Sequence, residues 1–219
     1  FMADISHELR TPLAILRGEL EAIQDGVRQV TPEAISSLQS EVVVLTKLVD
    51  DLHQLSLSDA GALAYRKQPL DLVNLLEVIA GSFAGRYRTH HLTLQLQLPA
   101  EASSFGDPDR LMQLFTNLLE NSLRYTHPGG DVRITMRQQE DQWLLCIDDS
   151  APGVAAAQRT QLFERFFRAE NSRNRASGGS GLGLAICKNI VEAHGGTISA
   201  EHSDLGGVQI RLNLPYVPQ

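Results

Sequence analysis

His7-Glu8-Leu9-Arg10-Thr11-Pro12 places an imidazole, a carboxylate and a hydroxyl on a helix whose apolar seam points elsewhere. With Ile5 at zero and about 100° per residue, Leu9, Leu16, Leu20 and Ile23 fall within about 60° of it, a seam of near-heptad spacing. His7 then lies about 170° from the middle of the seam, and Thr11, one turn on, about 150°. His7 is therefore not a core residue of its own helix. Glu8 sits beside it, off the seam, where it can accept a ring proton or hold one tautomer.

The helical pattern continues to about Gly26, and Thr31-Pro32-Glu33 then supplies a cap followed by proline at the first helical position. Ile35, Leu38, Val42, Leu45, Val49, Leu52 and then Leu55 or Ser56 continue at near-alternating steps of three and four residues. Two such helices make an αα-hairpin with a stripe left over, which is covered either by a second copy, as a four-helix bundle, or by the rest of the same chain. The pattern opens at Phe1 without a cap, so the first helix is expected to be N-terminally truncated.

Beyond the hairpin (residues 1–58) a Ser-, Asp- and Gly-bearing linker (59–67) leads to a second domain expected over 68–219. Asp71 caps a helix expected to reach about Phe83, and Leu92, Leu94, Leu96 and Leu98 alternate as a half-buried strand. Asp107-Pro108 opens a helix to about Tyr125. Val132, Ile134 and Met136 alternate, and Trp143 to Ile147 is a short apolar run, so two strands follow. Residues 155–168 read as helical, 169–180 as a polar mobile loop, and the stretch to His194 as an amphipathic helix; Thr197–Ser203 and Val208–Leu214 close the domain as a hairpin. The inventory predicts α+β layers.

The 219 residues carry 19 basic and 26 acidic side chains, a formal charge of -7, which argues against a general nucleic-acid or anionic-membrane binder. Any phosphate site must be local. Cys146 and Cys187 lie in apolar contexts without a partner at metal spacing and read as two buried thiols in a reducing compartment. No stretch reaches the ~18 apolar residues of a membrane span.

Three constellations carry chemistry. Gly179-Ser180-Gly181-Leu182-Gly183-Leu184 runs straight into a helix, so backbone N–H groups and the helix dipole can face a phosphate, although alternating glycines also occur in plain loops. Asn117 and Asn121 share one helix face, each at a cost of roughly 0.5 kcal/mol relative to alanine. They are either an exposed polar flank or donors of amide oxygen to a hard cation such as Mg²⁺, with Arg124 and Tyr125 offering a phosphate contact and a ring against a base. Asp149, at a strand end before Ser150-Ala151-Pro152-Gly153, is either a local Asx cap or an acceptor for an exocyclic amine such as that of adenine. Its neighbour Asp148 reads as a decoy. Phe163, Phe166 and Phe167 suggest a packing hinge. The remaining histidines show no ligand spacing, although His194 can complement a helix C-terminus.

In this order, His7 to Pro12, Asn117 to Asn121, Asp149 to Gly153, Phe163-Glu164-Arg165-Phe166-Phe167-Arg168 and Gly179 to Gly183 resemble the motifs of a bacterial sensor histidine kinase, of the membrane-anchored envelope-stress type, over nearly the whole chain. The resemblance implies a homodimeric phosphotransfer hairpin followed by an α+β sandwich ATP-binding domain of the kind shared with gyrase, Hsp90 and MutL. It implies that His7 is the phosphoacceptor, Glu8 the assisting base, and Thr11 a positioner of water in regulator dephosphorylation. Asn121 would bind Mg²⁺ with support from Asn117, Asp149 would read the adenine amine, and Tyr125 would lie against the base. Arg124 and Arg168 would meet phosphates. Gly153 belongs to the turn after Asp149, while Gly179, Gly181, Leu182, Gly183 and Leu184 form the lid and helix start over ATP. The partner implied is a cognate response regulator, with sensing and transmembrane parts absent from a cytoplasmic fragment of an inner-membrane protein. One departure stands out: Ala151 occupies the place of the family's first glycine, and alanine before proline favours extended geometry. The turn is therefore expected to differ locally while leaving Asp149 usable. A clamp ATPase of the gyrase group, or a nucleotide-binding scaffold, is the alternative.

Overall fold

Thr31 accepts the Ala34 N–H at 3.2 Å with Pro32 behind it, and this cap starts α2 (Pro32–Asp59) opposite α1 (Met2–Gln24). A computed structural model describes residues 2–169 and 179–216. The chain divides into two units, Phe1–Leu63 and Ala64–Gln219. In the first, Glu19 of α1 ties the hairpin together by accepting hydrogen bonds from Arg28 in the turn and from Ser37 of α2, at 2.9 and 3.1 Å. The α1 seam is only half covered. Leu20, Ile35, Val42 and Val49 remain 45–54% exposed, and the last three repeat every seven residues along α2. No helix among the described residues is long and apolar enough to cross a membrane.

The second unit begins with β1 (Gln68–Asp71) and α3 (Leu72–Thr89), followed by β2 (Thr93–Gln97), β3 (Ser103–Gly106) and α4 (Pro108–Tyr125). It continues through β4 (Asp131–Gln139), β5 (Gln142–Ser150), the short α5 (Ala156–Arg159), α6 (Gly183–Ala193), β6 (Thr197–His202) and β7 (Gly206–Pro215). Five strands form one sheet in the order β2-β4-β5-β7-β6, in which β2 and β4 are parallel and all other pairs antiparallel. Register places Leu96, Ile134, Ile147, Ile210 and Ala200 in one row across it. Alternation then puts Val132, Ile134, Met136, Leu145, Ile147, Ile210 and Leu212 on a buried face. Leu76, Leu114, Phe115, Leu118, Ile186 and Ile190 of the helices are likewise almost fully buried. Each such side chain contributes about 1.5–3 kcal/mol on burial.

Several expectations are corrected here. The helix from Asp71 runs to Thr89, beyond Phe83. The segment 155–168 is not one helix: α5 is a single turn without a side-chain cap, a 3₁₀ turn covers Thr160–Phe163, and Phe166 adopts φ 62°. A positive φ at a bulky residue ends any helix, and the Phe166 N–H is instead taken by Gly181 O at 2.9 Å. The expected polar loop falls mostly on 170–178, outside the described residues. Cys146 is only half-buried, because it faces outward on β5, whereas Cys187 is buried. The two-stranded sheet of β1 and β3 had no periodic signal; tertiary bonds fix it, with Trp143 Nε1–H donating to Ser103 O at 2.8 Å and Ser104 Oγ–H to Pro215 O at 3.1 Å.

His194 is also more than a helix-end cation. It is buried, its Nδ1 lies 2.7 Å from Ile190 O, and its Nε2 accepts the Asp107 N–H at 2.9 Å. That accepting role requires the neutral ring with hydrogen on Nδ1, and burial pushes its pKa down accordingly. The imidazole thus joins the C-terminus of α6 to the N-terminus of α4.

Candidate active site

α4 owes its amphipathic shape to Leu111, Leu114, Phe115, Leu118 and Leu119, and Asp107 caps it by accepting the Asp109 and Arg110 N–H groups at 3.1 Å each. Asn117 and Asn121 lie on its flank. Asn117 is buried, with Nδ2 3.5 Å from Gly183 O, so it abuts the first residue of α6. The side chain of Asn121, half-buried one turn on, makes no hydrogen bond among the described residues. A half-buried side-chain amide at that place can offer its oxygen to a cation or its NH₂ to a phosphate.

α6 starts at Gly183 after Leu182, with no side-chain cap, so the N–H groups of its first turn keep their capacity for an anion. The two glycines before it differ in what they approach: Gly179 faces the mobile ends of side chains, Gly181 a backbone. A Cβ on Gly179 would come within 2.5 Å of Arg124 Nη1 and 3.2 Å of the Tyr125 hydroxyl. Gly181, at φ 69°, packs directly on the Phe166 backbone, where a Cβ would come within 2.8 Å. Gly181→Ala is therefore expected to lower stability by about 2 kcal/mol or more. A thermal melt of the variant beside wild type checks this. Arg168 lies half-buried just beyond Phe166 and Phe167, and Leu182 is fully buried while Leu184 is half-buried.

Asp149 shares its sheet face with Leu145 and Ile147 and stands opposite Val132, so a carboxylate is set among the apolar residues of the core. Burial, reinforced by the charge of Asp148, raises its pKa to about 7 against the single Val208 backbone hydrogen bond that favours the anion. Val208 N–H donates to Oδ1 at 2.7 Å; Oδ2 takes no hydrogen bond from the described residues. Gly207 permits this approach, since a Cβ there would lie 2.1 Å from Oδ1. Gly153 comes close to the same β7 backbone, where a Cβ would meet Gly206 O at 3.2 Å. Ala151 does not take a positive φ; the Ala151–Pro152 peptide is cis, and a register shift falls between Asp148 and Ser150. Asp149 precedes this turn and holds its hydrogen bond from Val208.

The end of β5 meets the end of α4 through Gly130, where a Cβ would strike both Ser150 Oγ and Thr126 Cγ2. Asp149, the Arg124–Thr126 stretch and Gly179 therefore belong to one region of the second unit. In the first unit, His7 and Thr11 are exposed and Glu8 is half-buried. Thr11 Oγ1–H points to His7 O at 3.4 Å, and Pro12, inside α1, has no N–H to offer Glu8 O.

Residues 1–61 match the family described as "His Kinase A (phospho-acceptor) domain", and residues 106–218 match "Histidine kinase-, DNA gyrase B-, and HSP90-like ATPase". The chain belongs to the sensor histidine kinases. This histidine kinase is 66% identical over 215 residues to the signal transduction histidine-protein kinase BaeS of Escherichia coli, which covers 98% of the chain and 46% of that relative. It is 37% identical to the sensor protein SphS of Synechococcus elongatus over 100% of the chain and 55% of SphS. The chain thus spans about half the length of these relatives. Among solved structures, the Acinetobacter baumannii histidine kinase AdeS superposes with a TM-score of 0.82 at 30% identity, covering 97% of this chain and 98% of that one.

Sequence reasoning missed three participants. Phe166 was read as packing, yet its backbone N–H holds Gly181. Gly207 and Val208, which hold Asp149, lie at the turn of the last hairpin and carry no motif. Only the cross-strand pairing of β5 with β7 reveals them.

Proposed function

We propose that this chain transfers the γ-phosphoryl group of ATP to the imidazole of His7 and passes it to an aspartate on a separate response regulator. The observation that carries this reading is Asp149: a carboxylate on the apolar face of a sheet, with one oxygen fixed by Val208 and the other left for a ligand. That placement costs stability and is repaid by recognising a neutral donor such as the adenine amine. Asn121, supported by Asn117, would hold Mg²⁺, which when bound neutralises phosphate charge. The first turn of α6 and Arg124 and Arg168 would orient the phosphates, Tyr125 would lie against the base, and Gly179, Gly181 and Gly183 would bring the lid backbone close. Glu8 would take the imidazole proton as the N–P bond forms and ADP leaves, and Thr11 would place water for regulator dephosphorylation. The heptad stripe of Ile35, Val42 and Val49 left exposed on α2 supports a homodimeric four-helix bundle. Residues 1–58 would form this phosphotransfer unit, 59–67 a linker that permits approach of the two units, and 68–219 the catalytic domain. The close likeness to BaeS supports a membrane-anchored sensor whose input and anchor lie outside this chain, with this part in the cytoplasm.

Incubation of the chain with γ-labelled ATP and Mg²⁺ tests the proposal. Acid-labile label on protein is expected; steady phosphate release without labelled protein would instead indicate a clamp ATPase, and neither would indicate a scaffold. Asn121→Ala is expected to weaken Mg·ATP binding about tenfold or more while leaving metal-free ATP binding unchanged, and to raise helix stability by roughly 0.5 kcal/mol. Calorimetric titration with and without a chelator checks this, and unchanged Mg·ATP affinity would remove the metal assignment.

A further inference from the structure

The outer face of the sheet carries a second carboxylate. Asp148 precedes Asp149 on β5, so strand alternation turns it away from the apolar face. It stands in register between Arg133 of β4 and Gln209 of β7. Only 1% of its surface is exposed. Oδ1 accepts hydrogen bonds from Ser203 Oγ and Gln209 Nε2 at 2.9 Å each, and Oδ2 lies 3.7 Å from Arg133 Nη2. Arg133 also pairs with Asp204 in the β6–β7 turn, and its buried Nε finds no hydrogen-bond partner among the described residues.

The two carboxylates grip the same piece of β7 from opposite faces. Asp148 holds Gln209, and Asp149 holds Val208, the residue before it. Ser203, the other donor to Asp148, accepts the Leu205 N–H through its hydroxyl and binds Gly207 O through its own N–H, closing the turn that presents Gly207 and Val208. We propose, resting on the reading of Asp149 as the base-contacting carboxylate, that Asp148 and Arg133 are positioning residues for nucleotide recognition: they fix the Gly207–Val208 backbone against Asp149 and balance the charge beside it.

The charge balance follows from what faces Asp149. On its own strand the neighbouring charge is Asp148, which opposes ionisation of Asp149. From β4, Val132 stands directly opposite, and Arg133, the next residue, offsets Asp148. β7 brings the backbone N–H of Val208 and the uncharged Gln209. From α3 comes Tyr87, whose hydroxyl donates to Leu119 O and whose pKa burial pushes up, so it stays a phenol; Arg86 and Glu120 lie beyond it and pair with one another. The Arg133–Asp148 pair is thus the adjustable element: removing the cation and removing the anion act on Asp149 in opposite directions.

The test is ATP affinity of the full chain measured from about pH 5 to about pH 9 for wild type, Asp148→Asn and Arg133→Gln, with the ionisation of the ligand common to all three. The wild-type affinity is expected to rise as Asp149 ionises. Asp148→Asn should move the midpoint of that rise down by about half a pH unit or more, and Arg133→Gln should move it up by a similar amount. General loosening of the domain would weaken binding at every pH without opposite displacements. Unmoved midpoints, or two that move the same way, overturn the proposal. If Asp148→Asn does not fold, Arg133→Gln decides alone: an upward midpoint supports the proposal and an unchanged one overturns it. Failure of the underlying reading is separately visible, because Asp149→Asn would then bind ATP as wild type does.

Discussion

His7→Gln is expected to abolish acid-labile phosphoryl label on the chain while leaving fold and nucleotide binding intact. His7 is exposed on α1, away from the half-buried seam of Ile5, Leu9 and Leu16, and its ring makes no hydrogen bond among the described residues. Replacing an exposed helical residue shifts stability by no more than about 0.5 kcal/mol. The nucleotide contacts proposed for Asn121, Asp149 and Gly179–Leu184 all belong to the second unit, so ATP affinity should hold. Loss of label together with unchanged melting and unchanged ATP titration isolates the acceptor. A fall in ATP affinity would show that His7 has another role.

The second large effect is expected from Asp149→Asn, which should make the empty protein more stable and the site worse. The pKa of Asp149 in the folded chain, about 7, lies above the ordinary value of 3.8, so between these pH values the folded state holds a proton that the unfolded state lacks. Stability therefore declines as pH rises through that window, and the full cost of the buried anion is felt above it. Asparagine carries no such charge. The variant is expected to gain on the order of 2 kcal/mol above pH 7, seen as a rise in melting temperature of about 4 °C or more, with the gap closing toward pH 4. Its affinity for ATP should fall about tenfold to a hundredfold. With the amide oxygen engaged by Val208, the NH₂ group takes the place of Oδ2 and meets the exocyclic amine donor to donor. Equal stability of the two proteins at pH 8 would contradict the cost of the buried carboxylate; equal affinity would contradict its use.

What could be read in the sequence divides along physical lines. Helices announced by a cap and a 3.6-residue period were legible: Thr31 opens α2, Asp71 opens α3 and Asp107 opens α4, each through a side-chain bond to the first turn. Strands with strict alternation were equally clear, because Leu94 and Leu96 or Val132, Ile134 and Met136 mark one face. The candidate residues whose identity is unusual for their place were also visible, namely asparagines inside a helix and a carboxylate at the end of an apolar strand. Elements set by tertiary bonds were not. Residues 68–71 and 103–106 are short; Trp143 and Pro215 hold the second from elsewhere in the chain, and the first pairs with it. The turn at Phe166 depends on Gly181, fifteen positions on. Asp148 looked idle because its partners, Arg133, Ser203 and Gln209, become neighbours only through strand register.

Phosphoryl transfer to His7 is decided by incubating the full chain with Mg·ATP, digesting it at alkaline pH and locating the modification by tandem mass spectrometry. A single phosphoryl group is expected on the peptide bearing His7, stable in alkali and lost in acid. Phosphate on any other residue, or release of free phosphate from ATP with no modified peptide and at the same rate in His7→Gln, would contradict it.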